Sequence, residues 1–206
     1  MTRIVVVSAG LSNPSSTRLL ADRLGAAAAE ALEEADVAHV ELRELAHELT
    51  DHLLTGFPGP ALADAIEQVR SADGLIAVTP VFSASYSGLF KTFFDVLEQG
   101  LLEGTPVLIA ATAGTARHSL VLDHALRPLF GYLRAVVVPT GVFAATDDFA
   151  GRDLDRRIHR AAGELALLAG KTTPGDSATP QRRTPQDELA EPTPFEELLR
   201  RASGAE

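Results

Sequence analysis

Serine and threonine hydroxyls crowd into three short stretches of this chain, and each stretch contains a glycine. The first carries Ser8, Gly10, Ser12, Ser15, Ser16 and Thr17. The second runs from Thr79 through Pro80, Val81, Phe82 and Ser83 to Ser85, Ser87 and Gly88. The third holds Thr112, Ala113, Gly114 and Thr115, then Arg117 and His118. Hydroxyls and free N–H groups at a helix start grip a phosphate, and a glycine lets backbone approach a flat ring. Each stretch follows an apolar run (4–7, 75–78 and 107–111) and leads into an amphipathic segment. In an open parallel α/β sheet, ligands bind outside the carboxyl ends of the strands, where strand order reverses. Three such loops predict one composite pocket for a phosphate plus a flat ring, as in flavin mononucleotide.

Each loop also has a plainer reading. Ser15 or Ser16 could simply cap a helix, although four or five hydroxyls within ten residues exceed what a cap needs. The first stretch lacks the second and third glycines of G-x-G-x-x-G and the lysine of G-x-x-x-x-G-K-[ST], which points away from tightly held NAD and from ATP. In the second, Pro80 and Phe82 could wall one edge of a ring, while Val81 and Ser83 offer backbone and hydroxyl groups. Lys91 and Asp95 read as an ordinary i, i+4 ion pair, and Tyr86 as packing. In the third, Gly114 either opens the backbone to a planar ligand or merely punctuates a turn. N–H groups of Ala113 to Thr115 would suit the pyrimidine carbonyls of a flavin and favour its reduced, negatively charged form. The six histidines form no metal constellation.

The elements that must position these loops alternate. Strands are expected at 3–8, 37–42, 74–79, 106–111 and 136–139. Helices are expected at 15–35, 45–54, 61–72, 89–101, 118–134 and 153–169. Alternation implies right-handed crossovers and a parallel sheet. Five strands suit a flavodoxin-like doubly wound α/β sheet of order 2-1-3-4-5, in which strands 1, 3 and 4 are neighbours. Those strands precede the three loops. The boundary is expected near residue 170, with a domain over 1–170 and a Pro-rich tail over 171–206. In the tail, Thr193, Pro194 and Glu196 read as the start of a short helix with Phe195, Leu198 and Leu199 on one face.

Composition narrows the classes. The chain has 206 residues, 46% hydrophobic and 22% charged, as in a soluble globular protein. A net charge of −10 argues against sequence-independent nucleic-acid binding. Cysteine is absent, which excludes disulfides, thiolate metal sites and thiol catalysis. With no charged-then-apolar leader and no apolar run of about 18 residues, the expectation is a cytoplasmic protein.

Residues 79–91 (Thr79-Pro80-Val81-Phe82 through Lys91) and 112–118 resemble those of the NAD(P)H-dependent FMN reductases of flavodoxin-like fold. Asp123-His124-Ala125-Leu126-Arg127-Pro128 and Gly141-Val142-Phe143 extend the match, which covers about residues 3–169. The nearest likeness is to members paired with luciferase-like or alkanesulfonate-type flavin monooxygenases. The resemblance implies FMN as cofactor or exchangeable substrate, hydride delivery from NAD(P)H, release of reduced FMN to a partner monooxygenase, and a homodimer or homotetramer. The first loop departs from the broader G-S-x-R-x-x-S pattern: Gly10 and Ser12 stand where that pattern has serine and arginine. Arg18 is then the nearest source of positive charge for the phosphate.

Hydride transfer of this kind needs no acid or base from the protein, so no catalytic residue is assigned. Two rivals remain. One is an enzyme that passes electrons to a quinone, azo compound or metal oxyanion. The other is a non-enzymatic electron carrier, against which the absence of Asp and Glu from all three loops counts. An oligomer would use helices 89–101 and 118–134, which carry Phe90, Phe93, Phe94, Leu120, Leu122, Phe130 and Leu133.

Overall fold

The computed structural model describes residues 1–32 and 34–170. The proposed tail, its short helix and the domain division at residue 170 lie outside the described residues or rest on them.

β1 (Thr2–Ser8), β2 (Ala35–Glu41), β3 (Gly74–Phe82) and β5 (Pro106–Ala113) run parallel in the order β2-β1-β3-β5. The apolar runs of β1, β3 and β5 are buried on both faces, whereas edge strand β2 buries only Val40. Val5, Val7, Leu75, Ala77, Val107 and Ile109 face one core. Their alternates Ile4, Val6, Ile76, Val78, Leu108 and Ala110 face the other. α1 (Ser16–Ala31) and α6 (Arg152–Ala169) cover the second core; α2 (Ala46–Thr55), α3 (Pro60–Arg70), α4 (Gly88–Asp95) and α5 (Arg127–Tyr132) cover the first. Gly74 permits the close approach of sheet and helix, since a Cβ there would lie 3.0 Å from Ile4 Cδ1 and 3.2 Å from Ala169 Cβ.

The fold is the expected α/β parallel sheet, but the five-stranded 2-1-3-4-5 expectation is corrected to seven strands. β4 (Ser85–Tyr86) folds back antiparallel on Val81–Phe82 of β3. The two residues between them, Ser83 and Ala84, have φ of 49° and 67°. Two left-handed residues match a tight hairpin turn to strand twist, although neither is the glycine such a turn prefers. The outermost strand is divided: β6 (Val136–Val137) pairs with Pro106–Val107, and β7 (Val142–Ala145) pairs with Ala110–Ala113. Pro139 has no N–H to donate to a ladder, so the strand expected at 136–139 stops short.

Two helices also differ. The one expected at 89–101 ends at Asp95, and Gly100 and Gly104 turn the chain at φ of 86° and 77°. The one expected at 118–134 becomes a 3₁₀ turn (Ala116–His118), a π-helical turn (Leu122–Leu126) and α5. Pro128 cannot bond the His124 carbonyl, and Arg127 N–H instead reaches back five residues to Leu122 O. The phenylalanines assigned to an interface are core residues. Phe90, Phe93, Phe94 and Phe130 are at most 2% exposed. Their rings pack at centroid distances of 4.7 Å, tilted, between Phe90 and Phe94 and 4.9 Å, edge to face, between Phe94 and Phe130.

Candidate functional site

β1 ends between its neighbours: Ala9 N–H donates to Val78 O at 3.0 Å, and Leu42 N–H to Ser8 O at 2.9 Å. The chain then folds tightly onto the start of α1. A Cβ at Gly10 would collide with Ser15 Oγ and lie 3.3 Å from Thr17 Cβ, so only glycine fits there. Ser15 is the N-cap of α1, its Oγ accepting from Arg18 N–H at 3.2 Å. The positive end of the helix dipole therefore faces the loop.

A cleft of about 430 Å³ opens here. Gly10, Ser12, Asn13, Ser15 and Arg18 form one wall; Glu41, Arg43 and Glu44, from the end of β2 and the turn after it, form the other. Arg18 is committed twice, by Nε to Asp22 Oδ1 at 2.6 Å and by Nη1 to Glu41 Oε1 at 2.9 Å. The second contact is off the hydrogen-bond axis, and buried Glu41 Oε1 accepts no hydrogen bond among the described residues. Burial pushes the Glu41 carboxyl above the ordinary glutamate range, and Arg18 only partly offsets this. The hydrogen bond to Asp22 raises Arg18 in turn. Arg43 is exposed, and its side chain makes no hydrogen bond or ion pair among the described residues.

The other two loops lie beside the first. In the ladder, Pro80 stands opposite Thr112. Buried Thr17 and Thr112 share a hydroxyl hydrogen bond of 2.8 Å, tying the first loop to the third. Thr79 Oγ1 accepts from Ser87 N–H at 3.0 Å, and Ser87 Oγ caps α4 by accepting from Phe90 N–H at 3.2 Å. These hydroxyls brace the hairpin. Its tip presents Phe82, 46% exposed, beside exposed Ser83. Pro80 and Val81 are half-buried. In the third loop Ala113 is half-buried while Gly114 and Thr115 are exposed, and a Cβ at Gly114 would meet nothing within 4 Å.

The structure therefore brings Ser12, Ser15 and Arg18 to the cleft and leaves Ser16 exposed at the first turn of α1. Ser8 and Thr17 are buried, and Ser8 Oγ has no hydrogen-bond partner among the described residues. Sequence reasoning missed Glu41, Arg43 and Glu44. Their signal was positional: they form a charged run at the carboxyl end of a strand, the same criterion that found the other loops. The donors around the helix start fit a phosphate monoester. The exposed Phe82 ring and the space over Gly114 fit a flat ring at the ends of the adjacent strands.

The profile of the family described as NADPH-dependent FMN reductase matches residues 2–150. An FMN reductase (NADPH) of Pseudomonas aeruginosa is 39% identical over 173 residues, 82% of this chain and 92% of that protein. The NADH-dependent FMN reductase SfnE of Pseudomonas putida is 40% identical over 83% of this chain and 90% of its own length. Among solved structures, an oxidoreductase from Corynebacterium diphtheriae superposes with a TM-score of 0.82 at 50% identity, covering 84% of this chain and 99% of that one. The apo form of the NADH:FMN oxidoreductase EmoB gives 0.74 at 30% identity, covering 81% and 89%.

Proposed function

The chain belongs to the NADPH-dependent FMN reductase family, and from that premise we propose that it is an oxidoreductase reducing FMN with NAD(P)H. We further propose that it releases the reduced flavin to a partner flavin-dependent monooxygenase. The observation that best supports a flavin site is the set of unfilled features at the carboxyl ends of adjacent strands. These are a donor-lined cleft at the start of α1, the exposed ring of Phe82, and open space over Gly114.

FMN when bound supplies the hydride-accepting chemistry, and the protein supplies position. In this reading Ser12, Ser15, Ser16 and the N–H groups of the first loop hold the phosphate, with Ser8 and Thr17 beneath them. Pro80, Val81, Phe82 and Ser83 border the ring on one side, and Thr112, Ala113, Gly114 and Thr115 border it on the other. The Thr17–Thr112 hydrogen bond fixes the spacing between the two ends of the site. Rigid placement of this kind lets two ring systems stack without a catalytic side chain.

The same reading places the reductase within residues 1–170, with 171–206 as an appended Pro-rich tail, and makes the enzyme a cytoplasmic homo-oligomer. No helix among the described residues is long and apolar enough to cross a membrane. NAD(P)H oxidation measured with added FMN, then with a quinone, tests the assignment. Turnover should saturate with free FMN and be slower with the quinone. Faster turnover with the quinone would make this a quinone reductase, and no turnover with either would leave an electron carrier.

A further inference from the structure

Charge in the cleft beside α1 is unevenly committed. Two cations line it, Arg18 and Arg43. Arg18 sits between Asp22 and Glu41, at 2.6 and 2.9 Å, so its charge is already compensated. Arg43 faces the same cleft from the turn after β2, exposed and without a side-chain partner among the described residues. The remaining donors, Ser12, Asn13 and Ser15, are neutral, and Ser15 Oγ already accepts from Arg18 N–H. A phosphate monoester carries about −1.5 to −2 charge at neutral pH. Hydroxyls and a helix N-terminus solvate that charge but do not neutralise it.

We propose that Arg43 is the specificity-determining cation for the phosphate of the flavin nucleotide, acting from the wall opposite the first loop. The proposal rests on reading this cleft as the phosphate end of the flavin site. It accounts for a first loop without an arginine between Gly10 and Ser15: the charge comes from β2's end instead. A guanidinium fork engages two phosphate oxygens in a fixed planar geometry, whereas a lysine ammonium acts as a point charge with rotatable donors. Glu44, on the same wall and also without an ion pair among the described residues, opposes the anion, while the charge of Glu41 is directed at Arg18. Arg43 therefore meets the phosphate against one uncompensated carboxylate.

Calorimetric titration of the full chain with FMN and with riboflavin, which lacks the phosphate, tests this directly. The native protein should prefer FMN. Arg43→Gln should lose about tenfold in FMN affinity while riboflavin affinity changes less than about twofold. Arg43→Lys should recover part of the loss, and Glu44→Gln should tighten FMN binding. Circular-dichroism melts confirm that each variant is folded. An unchanged FMN-to-riboflavin ratio in Arg43→Gln overturns the proposal, as does a ratio that collapses only in Arg18→Gln. A variant that keeps the flavin ratio but raises KM for NADPH and not for NADH also overturns it, by assigning the charge to the nicotinamide nucleotide. Equal affinity of the native protein for FMN and riboflavin overturns the reading of the cleft itself.

Discussion

Gly114 and Gly10 occupy equivalent places after β5 and β1, the two strands that flank β3, yet their surroundings differ. Gly10 is required by packing, because any side chain would strike Ser15. Gly114 is surrounded by nothing within 4 Å, so the fold itself does not demand a glycine. Gly114→Val should change the stability of the flavin-free protein by less than about 0.5 kcal/mol. FMN affinity should fall by about tenfold or more, or 1.4 kcal/mol. Thermal melts and flavin titrations read together check this; equal losses in both would make Gly114 a plain turn residue. The two serines and the threonine at the start of α1 look interchangeable in sequence, and here the sequence was legible only to the level of the loop. Ser15 caps the helix, Ser16 is exposed, and Thr17 is buried against Thr112. That last pairing spans 95 residues, and no local pattern announces it.

The outermost strand shows what holds an element that local sequence alone would leave loose. Between β6 and β7, Thr140 gives its N–H to Glu164 Oε2 and its hydroxyl to Oε1, both at 2.7 Å, so α6 clasps the break in the strand. Burial opposes ionisation of Glu164, but the Thr140 hydrogen bonds and Arg160 outweigh it and hold the carboxyl below its ordinary range. Its contribution to stability is therefore complete above the ordinary glutamate range and is lost as pH falls through the lowered value. Glu164→Gln should cost about 1–2 kcal/mol at neutral pH and remove that part of the acid dependence. Urea unfolding at neutral and acid pH compares the two proteins, and parallel acid profiles would show that Glu164 carries none of it. The long central strands and their helices were legible because β-branched runs and amphipathic periods are strong signals. The short elements were not. Pro139 and Pro128 are visible in the sequence as breakers, but their effects, a divided strand and a π-helical turn, depend on what their neighbours bond to instead.

At the scale of the whole molecule, moving four phenylalanines into the core changes which surface can carry an oligomer. Leu120, 60% exposed, and Tyr132, 84% exposed, remain outside on the segment between β5 and β6. Leu53, Leu54 and Phe57 add a second exposed apolar group at 56–82% near the end of α2. Light scattering at micromolar concentration should give two or four times the chain mass of 21.8 kDa, and Leu120→Glu with Tyr132→Glu should lower it. A native protein that scatters as a monomer would refute the oligomer, and an unchanged mass in the double variant would move the interface elsewhere. The sheet's two borders limit how copies can meet. β2 carries Asp36, His39 and Glu41 along one border. The other is split into pieces of two and four residues, with the Thr140 N–H already taken. An unbroken row of free peptide groups invites foreign strands to add on and grow into aggregates. The split border offers no such row, and on the unbroken β2 border the charged Asp36 and Glu41 oppose the addition of a second strand, so copies of this chain are steered to associate by their helical flanks.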